Sequence, residues 1–257
     1  MRALSFYKYQ GTGNDFVMVD NREGVFPKDD LKLIAQLCDR RFGIGADGVI
    51  LIENAANADF EMVYYNPDGS QSLCGNGSRC AVMFAKQLGI IADKTDFLAI
   101  DGMHKATIKG DEVRLLMNDV AGYEQIGEDF LIDTGSPHYI RYNNNVAELD
   151  MIAEGQSVRY AERFKAKGVN VNLIQQLGDA ELKIRTYERG VEGETLSCGT
   201  GCTAAALSLG LKNNVEEVTL QAVGGTLKVT FEKADNGFKN IYLIGPAKQV
   251  FAGSISI

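Results

Sequence analysis

The sequence predicts a mixed α+β fold in which one structural unit occurs twice. The motif Cys74-Gly-Asn-Gly-Ser-Arg79 returns later in the chain as Cys198-Gly-Thr-Gly201. Each copy leads directly into a run without a helix breaker, and short segments rich in β-branched and aromatic residues surround both runs. We therefore expect two similar domains, each a curved, mostly antiparallel, barrel-like sheet wrapped around a central helix.

The expected strands are short and lie in both halves of the chain. In the first half they are residues 4–9, 16–20, 49–52, 60–65, 97–100, 105–108 and 113–117. In the second half they are residues 130–133, 139–142, 169–174, 183–187, 217–222, 226–231 and 240–244. The break near 118–122 predicts an N-terminal domain over 1–118 and a C-terminal domain over 119–248. The last segment, 249–257, is expected to be a strand that returns to the N-terminal domain.

Three helices are expected. Pro27 opens the first, since proline suits the first helical turn, and Cys38 lies on its apolar face. The other two follow the cysteine motifs, at 78–88 and 204–209. Both are apolar on nearly every side, which is typical of a buried helix.

The connection between the first two strands is rich in residues that favour turns. It reads Gly11-Thr-Gly-Asn14, and we interpret it as a turn too long for a two-residue hairpin. This interpretation leaves Asn14 and Asp15 at the tip of a loop.

Composition excludes several classes of function. The 257 residues carry a net charge of −8 without any block of Lys or Arg, so we expect neither a nucleic acid nor a membrane surface as partner. Neither a signal peptide nor an apolar run of about 20 residues is visible, and we expect a cytoplasmic protein. Five cysteines are an odd number, which argues against a disulfide scaffold. The spacing of the cysteine pairs also disfavours zinc, and we expect no metal.

The two repeated cysteines are the first candidates for chemistry. At the N-terminus of a helix, unpaired backbone N–H groups and the helix dipole favour a carboxylate ligand and also favour a thiolate over a thiol. Thiol pKa values fall from about 8.5 to roughly 3.5–7.5 in such places. A buried cysteine can also be a simple apolar filler. Because the motif occurs twice, packing alone explains Cys74 and Cys198 poorly.

A second group of candidates lies in polar segments of the C-terminal half. Arg189 is suited to bind a carboxylate, and Glu188 could hold an ammonium group, although a solvated surface loop would also contain such residues. His138 follows a Gly-Ser-Pro turn, and a structural role is the alternative for a single histidine.

Taken together, these motifs resemble the diaminopimelate epimerase family, which also includes proline racemase-like enzymes. The resemblance covers nearly the whole chain and rests on motifs that occur in the family's order. They are Gly11-Thr-Gly-Asn14-Asp-Phe, Gly43-Ile-Gly-Ala-Asp47-Gly, Asn66-Pro-Asp68-Gly-Ser, Cys74-Gly-Asn-Gly-Ser-Arg79, Ser136-Pro-His138, Gly168-Val-Asn170-Val-Asn172, Glu188-Arg189-Gly and Gly193-Glu-Thr-Leu-Ser-Cys198-Gly-Thr-Gly.

The resemblance implies an isomerase that needs no cofactor and converts LL-2,6-diaminopimelate to the meso isomer, for lysine and peptidoglycan precursor synthesis. It implies an active site in the cleft between the two domains, with Cys74 and Cys198 as the two catalytic bases, and a homodimer. His138 and Glu188 would tune the pKa of the thiols. The implied substrate contacts are Asn14, Asn66, Gly75, Asn76, Asn170, Glu188, Arg189, Gly199 and Thr200.

Two residues depart from the family's pattern. Ser136 stands where better-known members carry Asn, which shortens an amide contact to a hydroxyl and makes Ser136 a weaker candidate for substrate binding. Gly48 stands where some members use Gln. Both departures bear on substrate preference more than on reaction type.

Three other functions remain open at this stage. A racemase of proline or hydroxyproline type would use the same pair of cysteines but needs an apolar slot for its substrate. A thiol redox protein would also use acidic cysteines, although these usually share one Cys-X-X-Cys turn, which this chain lacks. A binding protein without catalytic activity is the third, and it is distinguished by thiols that do not react with alkylating reagents at neutral pH.

Overall fold

The computed structural model describes residues 2–257, which form two compact units. One unit comprises the chain up to Leu115 together with Gly245–Ile257, and the other comprises Leu116–Ile244. Each unit combines strands and helices, so the predicted α+β class is confirmed. The predicted domains, 1–118 with 249–257 and 119–248, are a statement about parts that fold on their own, and they stay a prediction.

The first unit is a sheet of eight strands with two helices. In chain order its elements are β1 (Ala3–Gly11), β2 (Asn14–Asp20), α1 (Leu31–Cys38), β3 (Gly48–Glu53), β4 (Phe60–Tyr65), α2 (Gly75–Gln87), β5 (Lys94–Ala99), β6 (Gly102–Lys109) and β7 (Glu112–Leu116). The last strand of the chain, β17 (Lys248–Ser256), pairs antiparallel with β1. The spatial order is β17-β1-β2-β3-β4-β5-β6-β7, in which β2–β3 and β4–β5 are parallel and the other described pairs are antiparallel.

Helix α2 is the centre of this unit. It packs against β1, β2, β3, β4 and β17, and every side chain from Cys80 to Val82 is fully buried. Phe84, also fully buried, contacts the rings of Tyr7 and Tyr9 on β1. A helix that is apolar all round has to be enclosed, and the strands of the unit enclose it. Cys74 stands directly before its first residue.

The second unit contains the remaining elements. They are β8 (Tyr123–Ile126), β9 (Asp129–Asp133), β10 (Pro137–Tyr142), a 3-10 turn (Val146–Glu148), α3 (Met151–Arg159), β11 (Asn170–Gly178), β12 (Glu181–Glu188), β13 (Gly193–Thr195), α4 (Gly199–Asn213), β14 (Glu217–Ala222), β15 (Gly225–Ala234) and β16 (Gly237–Pro246). Helix α4 is buried over most of its length and packs against β9, β10, β11, β12, β14 and β15. Cys198 stands directly before its first residue.

The strands of the second unit repeat the order of the first. The order is β8-β9-β10-β11-β12-β14-β15-β16, with parallel pairs at β10–β11 and β12–β14 and antiparallel pairs elsewhere among the described strands. The short β13 adds an extra pairing to β12. Helices α1 and α3, and likewise α2 and α4, follow equivalent strands. The repeat that two short cysteine motifs predicted therefore extends through the whole order of the sheet.

Three local predictions were wrong. Thr12 and Gly13 alone connect β1 to β2, since Gly11 pairs with Asn14. Both have positive φ, 52° and 84°, which closes a two-residue turn of the kind that hairpins prefer. Asn14 and Asp15 therefore belong to β2 and do not form a loop tip.

The other two corrections concern helices. Helix α1 begins at Leu31 rather than at Pro27, because the Asp30 carboxylate accepts a hydrogen bond from the Leu33 N–H and caps the helix there. Helix α3 was not predicted at all. Within the described residues, no helix is long and apolar enough to cross a membrane.

Candidate active site

The residues around the first repeated cysteine form the Cys74 group, which consists of Asn14, Asp47, Cys74, Asn76 and Gly77. Cys74 has an extended backbone and is the N-cap of α2, as predicted. Its sulfur accepts a hydrogen bond from the Gly77 N–H at 3.4 Å, and its thiol donates to Asn14 Oδ1 at 3.4 Å. Asn76 Nδ2 donates to the same oxygen at 3.3 Å. The sequence thus brings two predicted substrate contacts, Asn14 and Asn76, to the predicted base.

The side chains that lie beneath the start of α2, which we call the floor of the Cys74 group, are apolar. A Cβ atom added to Gly77 would lie 3.0 Å from Ile50 Cδ1 and 3.5 Å from the Phe16 ring. Both of these side chains are fully buried. Glycine allows the start of α2 to approach β2 and β3 this closely.

The residues around the second repeated cysteine form the Cys198 group, which consists of Ser136, His138, Asn172, Cys198 and Thr200. Cys198 has an extended backbone and is the N-cap of α4, as predicted. Its sulfur lies 3.4 Å from Thr200 Oγ1, and Thr200 Oγ1 lies 3.0 Å from His138 Nε2. His138 therefore reaches Cys198 through the Thr200 hydroxyl.

The direction of the hydrogen bonds around His138 follows from Asn172. Its Nδ2 donates to the backbone oxygen of Tyr139 at 3.3 Å, which can only accept, and to His138 Nδ1 at 3.1 Å. Nδ1 is consequently the unprotonated nitrogen, and Nε2 carries the hydrogen that points at Thr200 and at Ser136 Oγ. Burial, with a smaller effect from the charge of Arg189, lowers the pKa of His138 to about 3. His138 is neutral at physiological pH.

The prediction that Cys198 would have an acidic thiol is wrong for this arrangement. Burial raises the pKa of Cys198, and the negative charge of Glu188 raises it further. Hydrogen bonds from Thr200 and from the Gly201 N–H act in the opposite direction but are outweighed. The start of a helix favours a thiolate only when the cost of burying the charge is smaller than this stabilisation.

Both the nitrogen and the oxygen of the Asn170 side-chain amide form hydrogen bonds within the second unit. Nδ2 donates to the Pro137 backbone oxygen and to Ser136 Oγ, each at 3.2 Å. Oδ1 accepts from the backbone N–H of Arg189 at 2.8 Å. Asn170 thus holds the loop that carries Arg189, whose guanidinium donates to the Lys167 backbone oxygen. A direct contact of Asn170 with a substrate stays a prediction.

Asn66 is a further predicted contact that is not a member of either group. Its Nδ2 donates to Ser70 and Ser72 within its own turn, which follows β4. Glu188 is at the equivalent end of β12 in the second unit, half-buried. Gly75 and Gly199 are the first residues of α2 and α4.

Two polar residues with central positions were not among the predicted sites. Asp47 accepts a hydrogen bond from Asn14 Nδ2 at 2.5 Å, and Asn172 orients His138. Asn172 carried a signal in the sequence, because it alternates with Asn170 in a strand that is otherwise apolar, and a buried amide needs partners. In residues 2–257, no group of three or more His, Cys, Asp or Glu is arranged to hold a metal ion.

The packing around position 48 explains why a glycine stands there. A Cβ at this position would overlap the Tyr64 ring, which packs edge-to-face against Phe16 at 5.8 Å between ring centroids. Tyr64 therefore fills the space that a side chain at position 48 would need.

Solved structures with the same fold cover nearly the whole chain at low sequence identity. A phenazine biosynthesis protein of the PhzF family from Bacillus anthracis matches all of both chains with a TM-score of 0.80 at 14% identity. A hydroxyproline epimerase from Agrobacterium vitis, with bound trans-4-hydroxy-L-proline, matches 99% of this chain and 91% of its own with a TM-score of 0.67 at 14% identity. At this identity the likeness concerns the fold alone, a fold that this chain shares with a hydroxyproline epimerase and a PhzF-family protein.

Sequence comparison then gives the particular family. The sequence model described as "Diaminopimelate epimerase" matches residues 6–121 and 130–250. A protein of that name from Flavobacterium psychrophilum is 50% identical over 256 residues, which cover 98% of this chain and 100% of the relative. Another from Aquifex aeolicus is 37% identical and covers 98% of both chains. The chain belongs to the diaminopimelate epimerase family.

Proposed function

We propose that this protein epimerises LL-2,6-diaminopimelate to meso-diaminopimelate without a cofactor, and that Cys74 and Cys198 are its acid and base. The observation that carries the proposal is the repeated position of the two thiols. Each caps the buried central helix of its own unit, at equivalent points of two sheets with the same strand order. The product is a precursor of lysine and of peptidoglycan.

Inversion at an α-carbon explains why two thiols are needed. The proton on that carbon is very weakly acidic, and it has to leave from one face while another proton arrives at the opposite face. A thiolate removes the first proton and becomes a thiol, and the other thiol donates its proton and becomes a thiolate. The roles exchange in the reverse direction. A pair that carries one proton is the active form, and the two thiols titrate as a coupled pair.

The helix N-termini supply the electrostatic part of the mechanism. Backbone N–H groups of Gly75 and Asn76, and of Gly199 and Thr200, are suited to hold the carboxylate of the reacting centre. Negative charge spreads into that carboxylate as the α-proton leaves, so the same groups stabilise the transition state more than the ground state.

The remaining predicted contacts suit the distal end of the substrate. Diaminopimelate carries a second ammonium and a second carboxylate, and the amides of Asn66 and Asn170, with Glu188 and Arg189, are matched to these groups. Asn14 lies beside the Cys74 thiol, and we propose it as a contact at the reacting centre. We propose Ser136 as a weaker contact, because its hydroxyl is already an acceptor for Asn170. We further propose a cytoplasmic location and a homodimer.

The test is a comparison of substrates in deuterated water without pyridoxal phosphate. Purified protein is incubated with LL-diaminopimelate, L-proline and trans-4-hydroxy-L-proline, and stereochemistry and deuterium content are followed. We expect conversion of LL-diaminopimelate alone, with early deuterium in the product isomer and little in recovered starting isomer. Conversion of proline or hydroxyproline would favour the related racemases, and equal early labelling of both isomers would indicate a single base.

Cofactor independence has its own test. Activity should survive EDTA and carbonyl reagents that trap pyridoxal phosphate, because the thiols carry the proton transfer. Loss of activity with EDTA that a divalent metal restores would contradict the proposal.

A further inference from the structure

The orientation of the Asn14 amide is fixed by its three neighbours. Its NH₂ group faces the Asp47 carboxylate, Nδ2 to Oδ2 being 2.5 Å. Its oxygen faces two donors, the Cys74 thiol at 3.4 Å and Asn76 Nδ2 at 3.3 Å. A carboxylate can only accept, so Asp47 selects the NH₂ end of the amide and leaves the oxygen for Cys74.

Asp47 is itself held firmly. Its Oδ2 also accepts from the Asp15 backbone N–H at 3.1 Å, and its Oδ1 accepts from Arg40 at 2.7 Å. Arg40 bridges to both carboxylate oxygens of Asp15, and the nearly buried Lys8 pairs with Asp15 at 2.6 Å. Lys8 also donates to the backbone oxygen of Gly45. Two cations and two carboxylates therefore form a network in which the Asp47 carboxylate has a defined place.

We propose that Asp47 is a positioning residue, which fixes the Asn14 side chain with its oxygen towards the Cys74 sulfur. An acceptor at this place stabilises the protonated thiol and disfavours the thiolate. Asp47 acts through Asn14 and does not touch Cys74. Reversal of the amide would present NH₂ to the sulfur and would favour the thiolate instead.

The substitution Asp47→Asn should cause this reversal. Two fixed donors compete for the oxygen of the new amide, the Arg40 guanidinium on one side and the Asp15 backbone N–H on the other. The hydrogen bond from the charged guanidinium is the stronger, so we expect the oxygen to turn to Arg40 and the NH₂ to turn to Asn14. Asn14 can then make a hydrogen bond only by offering its own oxygen to that NH₂, which moves its NH₂ group to Cys74. The charged and titratable groups around this network are Lys8, Asp15, Cys38, Arg40, Tyr64, Arg79 and Cys80, and the substitution replaces none of them.

The readout is the pH dependence of iodoacetamide alkylation at Cys74, followed by peptide mass spectrometry on the full chain. The thiolate is the species that reacts. In Asp47→Asn we expect the pKa of Cys74 to fall by about one unit and alkylation at neutral pH to accelerate about tenfold. Loss of the Asp47 charge lowers the pKa of Cys74 in the same direction without the amide. The same change in the Asn14→Ala background should therefore give a clearly smaller fall, because the amide that transmits the rest is gone, and an equal fall in both backgrounds would show that charge alone is responsible.

Two further variants keep the result decisive. Asp20→Asn is the matched control, since it removes a carboxylate that accepts from Arg22 at 2.7 and 2.8 Å in the same unit and should leave the Cys74 profile unchanged. Asn14→Ala alone removes the acceptor oxygen and should also accelerate alkylation, which provides an answer if Asp47→Asn folds poorly. An unchanged Cys74 profile in a folded Asp47→Asn protein, or in Asn14→Ala, would overturn the inference.

The inference rests on the proposed function only for its catalytic consequence. With LL-diaminopimelate, Asp47→Asn should lower kcat and displace the pH profile of kcat to lower pH, whereas a purely structural role would lower the amount of active protein at every pH. Alkylation needs no substrate, so it can fail while epimerisation is found, or succeed while epimerisation is absent.

Discussion

The side chains beneath the starts of α2 and α4 occupy the same strand positions but differ in chemistry. They are the floors of the Cys74 group and of the Cys198 group. In the first unit, Phe16 on β2 pairs with Gly48 on β3, and in the second unit His138 on β10 pairs with Asn170 on β11. Two residues further along β3 and β11 are Ile50 and Asn172. The floor of the Cys74 group is therefore a hydrocarbon surface, whereas the floor of the Cys198 group is a network of hydrogen-bonded amides and an imidazole.

The difference shows that the repeat preserves the position of the thiol and not its environment. Cys74 has an amide oxygen beside it, from Asn14, while Cys198 has the hydroxyl of Thr200, which is backed by a neutral histidine. A hydroxyl can donate to a thiolate or accept from a thiol, and an amide oxygen can only accept. The two proposed bases would thus be tuned by different means.

The largest expected effect is the loss of either thiol. Cys74→Ala and Cys198→Ala should each lower epimerisation of LL-diaminopimelate by about 10²–10⁴-fold, because a general acid or base typically contributes that much. Serine at either position keeps a hydroxyl without its acidity and should also be severely slowed. Stereochemical assays on folded protein check this. An alanine variant with nearly wild-type activity would show that its cysteine is only the cap of a helix.

The pH dependence of the free energy of unfolding should differ between the two floors, because only the floor of the Cys198 group contains a buried histidine. The unfolded state binds a proton at His138 below a pKa of about 6.5, but the folded state binds it only below about 3. Unfolding therefore becomes easier as the pH falls from about 6.5, by up to about 1.4 kcal/mol for each pH unit. Urea unfolding between pH 7 and 4.5 measures the slope, which His138→Gln should flatten.

The first unit supplies the control for that experiment. Burial would raise the pKa of Asp15, but hydrogen bonds from Arg40 and Lys8 outweigh it and lower this pKa from 3.8 to about 2. Its contribution is therefore complete above pH 3.8 and is lost only as the pH falls through about 2. Asp15→Asn should leave the slope between pH 7 and 4.5 unchanged. An equal slope in wild type and His138→Gln would mean that His138 does not control acid stability.

The sequence predicted what is encoded locally. The two helix-capping cysteines were predictable because each stands between a glycine-rich turn and an apolar run. Helix α3 was missed because it is polar on most sides, and its buried residues are Met151, Gly155 and Val158 alone among those described. Gly155 looks like a helix breaker in the sequence, yet it is needed there because the Tyr187 ring lies where a side chain would be.

What the sequence could not provide is the set of partners that tertiary structure brings together. Thr12 adopts a positive φ that is unusual for a threonine, so the tight hairpin was not visible. Asp47 stood in a quoted motif, but its hydrogen bond to Asn14 joins residues that are far apart in the chain. The acidity of Cys198 was misjudged for the same reason, since the amount of burial depends on packing and not on the local motif.

The smallest effect, and the one that tests the floors most directly, comes from adding a single methyl group. In Gly77→Ala the new Cβ lies 3.0 Å from Ile50 Cδ1, the end of a flexible apolar side chain that can move by a few tenths of an ångström. In Gly201→Ala the new Cβ overlaps Asn172 Oδ1, which is tied to Thr186 at 3.0 Å, and it also meets the His138 ring at 3.3 Å. We expect Gly201→Ala to lower the free energy of unfolding by about 1–3 kcal/mol, as overpacking of a rigid site does, and Gly77→Ala to lower it by less. Urea unfolding of both variants at pH 7 measures the difference, and equal losses would show that the polar floor is as deformable as the apolar one.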